Sequence, residues 1–221
     1  MVLKFLLLVF VFAGMMPAYG QFANPTLQLQ SVEVPPQDFN RVRSDVQITN
    51  FDAQHATNWQ VTIKNKLVYA NPEGNAVVRI YDANDSGKFV EVGMGSIPDR
   101  KFWVAFNLPE MGYIHATTID KNGWSPDAQV TIGYGAANGV SISNGQRVVV
   151  SNFEIENFVV GGYGVYGMNE RGDPPAINSG TFTVDVISGD ASRNPFHHYP
   201  FYVTAAVGAI IVAMLVFKKR S

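Results

Sequence analysis

Between residues 21 and 198 the chain carries 21 valines and 11 isoleucines but only 4 leucines. β-Branched side chains sit well on a pleated surface and lose rotamer freedom in a helix, so this imbalance selects strands. Alternation says the same. Trp59, Val61 and Ile63 fall on one side of an extended chain, with Gln60, Thr62 and Lys64 on the other. Phe182, Val184 and Val186 alternate in the same way with Thr181, Thr183 and Asp185. Similar half-buried runs occur at 46–49, 77–81, 89–94, 101–108, 113–119, 128–134, 140–143 and 147–158.

Turn chemistry separates these runs. Ser143-Asn144-Gly145-Gln146 predicts a hairpin, because Asn-Gly accepts the positive φ angles of a type I′ turn. Asp120-Lys121-Asn122-Gly123 and Asn138-Gly139 carry the same chemistry, and residues 82–88 form a longer connection. Many short strands spaced by turns, with no amphipathic helix among them, predict an all-β fold. The expected form is an antiparallel β-sandwich or jelly roll rather than βαβ units. The glycine-rich run Gly161-Gly162-Tyr163-Gly164-Val165-Tyr166-Gly167 reads as a bulged, tightly packed strand edge. Residues 167–180 read as one long surface loop.

Of the 221 residues, 47% are apolar, and they are concentrated at the two ends. Residues 1–20 combine one lysine, a short apolar stretch and small residues before Gln21, the pattern of a secretory signal peptide. Residues 199–217 contain no charge and are followed by Lys218-Lys219-Arg220. As a helix, the apolar part from Phe201 to Phe217 would rise about 26 Å, enough for a thin bilayer. A basic cluster after it follows the positive-inside rule. The expected organisation is a signal peptide (1–20), an extended lead-in or edge strand (21–40), a luminal or extracellular β-sandwich (41–188), a stalk (189–198), a transmembrane helix (199–217) and a cytoplasmic tail (218–221). Lys218 and Lys219 stand four and three places from the end, where a dilysine retrieval signal to the endoplasmic reticulum would be read.

Residues 21–198 hold 12 basic and 18 acidic side chains, a net of −6. An acidic, exported domain lacks the positive field that nucleic acid or anionic lipid requires. Without cysteine it can form no disulfide, thiolate nucleophile or Cys-based zinc site.

The candidate sites are few. Asp82-Ala83-Asn84-Asp85-Ser86-Gly87 resembles the first half of a calcium loop and names Asp82, Asn84 and Ser86 as weak candidate ligands. Its twelfth position is Gly93 and not an acidic residue, and no other cofactor is suggested. Asn84-Asp85-Ser86 is also an N-glycosylation sequon. Arg171-Gly172-Asp173 is an adhesion-type tripeptide in a loop. Trp59 is in phase with the core. Trp103 is out of phase with Phe102, Val104 and Phe106, and Trp124 follows a turn. Trp103, Trp124, Tyr163 and Tyr166 are therefore the candidate binding surface.

No Gly-x-Ser-x-Gly elbow, His-Glu-x-x-His pair or phosphate loop occurs. His55 and His115 lie sixty residues apart, and His197-His198 border the apolar tail. The expectation is a non-enzymatic type I membrane protein of the early secretory pathway, whose β domain binds a membrane or secreted protein. The alternatives are a cell-surface adhesion or carbohydrate-binding module, and a membrane-anchored hydrolase whose catalytic groups are dispersed in sequence.

Overall fold

The computed structural model of the chain describes residues 28–55 and 58–188. The signal peptide, the stalk, His197-His198, the apolar span and the Lys218-Lys219 tail lie outside the described residues. Among the described residues no helix is long and apolar enough to cross a membrane.

The described chain is all-β, as its Val/Ile-rich alternation requires. Its strands are β1 (Gln28–Glu33), β2 (Thr49–His55), β3 (Asn58–Tyr69), β4 (Asn75–Asp82), β5 (Phe89–Gly95) and β6 (Phe102–Leu108). They continue with β7 (Gly112–Ile119), β8 (Val130–Gly135), β9 (Gly139–Ser143), β10 (Val148–Phe153), β11 (Val160–Tyr166) and β12 (Ile177–Ser188). They form two antiparallel six-stranded sheets, ordered β1-β12-β3-β8-β9-β10 and β2-β11-β4-β5-β6-β7. β1 is the expected edge strand. Short 3-10 turns at Pro36–Phe39 and Arg43–Asp45 occupy the connection from β1 to β2.

The inner faces meet in one apolar core. Trp59, Val61, Ile63, Ile132, Ile142, Phe182 and Val184 from the first sheet share it with Val78, Ile80, Val90, Val92, Phe102, Val104 and Phe106 from the second. Alternating residues converge because every second side chain of a strand points the same way. The two long strands β3 and β12 pair over their whole length, from Tyr69 with Ile177 to Trp59 with Ser188.

Three local expectations change. The turn between β9 and β10 closes one residue later than expected: the Asn144 N–H donates to the Arg147 carbonyl at 3.2 Å, and Gly145, at φ +86°, takes the left-handed position. Asn144 instead is a bracket. Its side-chain oxygen accepts from the Gln146 and Arg147 N–H groups, and its amide donates to the Gly123 carbonyl at 2.7 Å. The run 147–158 stops pairing at Phe153. The glycine-rich run is not a sheet edge: β11 lies between β2 and β4, with a bulge between Val160 and Gly162.

The largest difference concerns the second sheet. Runs 77–81 and 89–94 read as half-buried, yet β4 from Ala76 to Asp82 and all of β5 are buried on both faces. The segment 41–47 crosses the outer face. A Cβ on Gly164, whose missing side chain would point outward, would stand 2.5 Å from Val46 Cγ1. Arg43 reaches over the Tyr113 ring at 4.3 Å, and Asp45 pairs with Arg171 at 2.7 Å.

Candidate functional site

Strand register determines what meets on that outer face. One row runs Gly164, Arg79, Glu91, Ala105, His115; the next runs Tyr166, Val77, Gly93, Trp103, Thr118; a third runs Gly162, Tyr81, Phe89, Asn107, Tyr113. Arg79, Glu91, Tyr113 and Tyr166, from four strands, thus share one surface, though Tyr113 follows Arg79 by 34 residues and Tyr166 follows it by 87. No local motif could have shown this.

Arg79 and Glu91 are directly paired residues of β4 and β5. Arg79 Nε donates to Glu91 Oε2 at 2.7 Å, and the two residues are 7% and 1% exposed. The other carboxylate oxygen, Oε1, accepts the Tyr113 hydroxyl at 2.6 Å. The Arg79 guanidinium lies against two rings, Phe89 at 4.5 Å and Tyr166 at 5.0 Å. Burial works against its charge, but the Glu91 carboxylate more than offsets it, so the guanidinium titrates above its ordinary range. Burial and the Glu91 carboxylate push the Tyr113 phenol up to about 12. Burial, reinforced by the same charge, raises Tyr166 as well.

Beside this cluster opens a cleft of about 610 Å³, lined by Val42, Arg43 and Ser44 from the crossing segment, by Arg79, and by Asn169, Glu170 and Arg171. Arg79 Nη2 is buried and has no hydrogen-bond partner.

On the neighbouring row Trp103 lies across Gly93. A Cβ on Gly93 would fall 2.0 Å from Cε2 and Cζ2 of the indole, so only glycine lets the ring settle there. Trp103 remains partly exposed, as its phase predicted. Tyr166 shares its row, buried beneath the face.

Tyr166 is therefore not the surface group expected of it, and neither are the other two candidate aromatics. Trp124 is 2% exposed, packs on Tyr69 at 5.9 Å between ring centres, and donates its N–H to the Gly95 carbonyl at 2.9 Å. A loop position did not predict this, because a loop that folds back over a sandwich end closes its core. Tyr163 faces inward against Phe51 at 5.5 Å, since it stands an odd number of residues from Tyr166 in a regularly paired stretch of β11.

Asp82, the first calcium candidate, is buried, with one oxygen accepting the Asn84 N–H and the other the Val159 N–H at 3.1 Å. Lys88 Nζ stands 3.4 Å away. Asn84 and Ser86 are exposed on the loop, where the sequon is open to solvent. No group of three or more His, Asp or Glu side chains suited to a metal occurs among the described residues. The adhesion-type tripeptide is tied down at both ends: Arg171 pairs with Asp45, and the Asp173 carboxylate accepts the Glu170 N–H at 2.8 Å.

Arg43, Arg79, Glu91, Tyr113 and His115 were not singled out as site residues from the sequence. The available signal was the placing of Arg79 and Glu91, single charges in the middle of strands apolar on both faces.

No family model matches the chain, and no curated protein matches it in sequence. Among solved structures it is similar to a β-fructofuranosidase from Schwanniomyces occidentalis, at TM-score 0.45 and 10% identity, covering 73% of this chain and 34% of that one. It is also similar to sheep galectin-11 in complex with glycerol, at TM-score 0.38 and 12% identity, covering 74% and 98%. A third is an alginate lyase from Pseudomonas aeruginosa, at TM-score 0.38 and 14% identity, covering 62% and 66%. The chain spans about a third of the length of the first of these. The expectation that the chain is not an enzyme is withdrawn: the similar structures include fructofuranosidases, a GH43 protein, a glycosidic hydrolase and an alginate lyase, each at a TM-score of 0.45 or below. That expectation rested on missing local motifs, and groups carried by separate strands of one sheet leave no such motif.

Proposed function

We propose that the outer face of the β2-β11-β4-β5-β6-β7 sheet binds a saccharide. The observation that carries this reading is Trp103: a partly exposed indole seated over Gly93, next to a row of buried, hydrogen-bonded polar groups. An aromatic ring held rigid on a sheet offers an apolar platform for the C–H face of a sugar. Fixed polar groups beside it orient the hydroxyls. The seat is preorganised, because Gly93 permits one ring position and Trp103 gives up little entropy when a ligand arrives.

The test is titration of soluble oligosaccharides of several backbones into the purified chain, followed by calorimetry, for wild type and Trp103→Ala. Saturable binding that Trp103→Ala weakens by about ten-fold or more, with the fold retained by circular dichroism, supports the reading. Binding unchanged in the variant, or absent for every backbone, overturns it.

A second reading, chemistry on the bound sugar, is favoured by Glu91, a buried carboxylate that accepts a tyrosine hydroxyl at 2.6 Å. Release of new reducing ends from a bound oligosaccharide, lost in Glu91→Gln, would support it. Intact oligosaccharide after prolonged incubation would refute it.

A further inference from the structure

The cleft next to Arg79 has a feature that neutral sugar binding does not explain. A guanidinium carries five N–H donors in a rigid fork. Arg79 commits Nε to Glu91 at 2.7 Å, while Nη2 is buried without a partner and the residue lines the cleft. Leaving a buried charged donor unpaired is costly, and Nη2 has no hydrogen-bond partner among the described residues. Two further cations stand at the same opening. Arg43 lies over Tyr113 at 4.3 Å and has no carboxylate partner among the described residues. Arg171 is held by Asp45, whose carboxyl it keeps below the usual range. Glu170 is the one carboxylate among the lining residues.

Resting on the saccharide reading above, we infer that this cleft receives an acid group of the ligand, a carboxylate or a sulfate, so that the ligand is an acidic oligosaccharide. An oxyanion there completes the Arg79 fork, since Nη2 donates to it while Nε keeps Glu91. Arg43 is the second donor, arriving from the crossing segment on a side chain steadied by the Tyr113 ring. The domain as a whole is acidic, so attraction is local to these arginines and not a long-range field. Arg79 and Trp103 lie two strands and one row apart, about 12 Å from strand geometry. The ligand is therefore a chain long enough to lay one residue on the indole and another, acidic, residue in the cleft.

The experiment uses three probes: an oligouronate, a sulfated oligosaccharide, and a neutral oligosaccharide matched in length to each. Wild type, Arg43→Gln and Arg79→Lys are compared by calorimetry. Arg79→Lys retains a cation for Glu91 but lacks the second arm, and Arg43→Gln changes an exposed residue, so folding is preserved in at least one variant. One acidic probe is expected to bind about ten-fold or more tighter than its neutral match, with that advantage shrinking as salt is raised. It should disappear in Arg43→Gln and Arg79→Lys. Preference for the oligouronate identifies a carboxylate, and preference for the other a sulfate. Equal binding of acidic and neutral probes, still sensitive to Trp103→Ala, overturns the acid pocket and leaves the saccharide face standing. Absence of binding by all probes overturns both.

Discussion

Trp103 and Gly93 are directly paired across β6 and β5, and the indole of one occupies the space where a side chain of the other would be. The relationship is obligatory in one direction: any Cβ at 93 collides with the ring at 2.0 Å. Gly93→Val is therefore expected to expel the Trp103 ring toward solvent and red-shift its fluorescence. Overpacking of this kind costs roughly 1–3 kcal/mol. An unchanged emission spectrum and unfolding midpoint would show that the ring has another seat.

The Arg79 and Glu91 pair makes a second demand. Removing one member leaves the other charged and buried, which costs about 3–5 kcal/mol. Arg79→Met alone should lower the unfolding midpoint by roughly 6–20 °C for a domain of this size. Arg79→Met combined with Glu91→Met should recover most of that loss, because both charges are gone together. A double variant no better than the single would place the damage in packing and not in charge. Thermal unfolding followed by circular dichroism measures both.

Tyr113 gives the structure a signature at high pH. Its phenol is raised from about 10 in the unfolded chain to about 12 by burial and by its hydrogen bond to Glu91. A group held neutral by the fold contributes stability that is fully present below pH 10 and is lost as the pH rises to 12. Tyr113→Phe should flatten the fall in stability over that window. Glu91→Gln should move the phenolate absorbance step of Tyr113 back toward 10. A step already near 10 in the wild type would mean that the hydroxyl is not bound to Glu91.

Asn144 is 1% exposed and makes three hydrogen bonds that join the β9–β10 turn to Gly123. Asn144→Ala removes all three partners at once and is expected to cost about 2–4 kcal/mol, since each orphaned buried group carries its own desolvation penalty. Asn144→Asp keeps the two acceptor contacts but sets a buried carboxylate against the Gly123 carbonyl, so it should cost more than Asn144→Ala at neutral pH. Chemical denaturation of the two variants tests the order.

Trp59, Val61 and Ile63 announced the core face of β3, and Val184 that of β12, because a strand repeats every two residues whatever surrounds it. Trp103 announced its outward side by the same rule. Gly145 announced a turn, but not that Asn144 would be buried as its bracket, since that depends on Gly123 arriving from the loop after β7. Trp124 stayed hidden because a loop residue has no period to read.

By itself, the sequence determined the strands, the turns between them and the two-sheet sandwich, since β-branched alternation and left-handed turn residues are local properties of the backbone. Tertiary structure alone decided that the part of the second sheet's outer face around Arg79 and Gly164 is covered while Trp103 beside it stays partly exposed. Residues 41–47 and 169–171 come to lie over it from distant parts of the chain. Periodicity says which residues share a face, and only long-range packing says which face is shut away from water and which charges, Arg79 and Glu91 here, must then find each other.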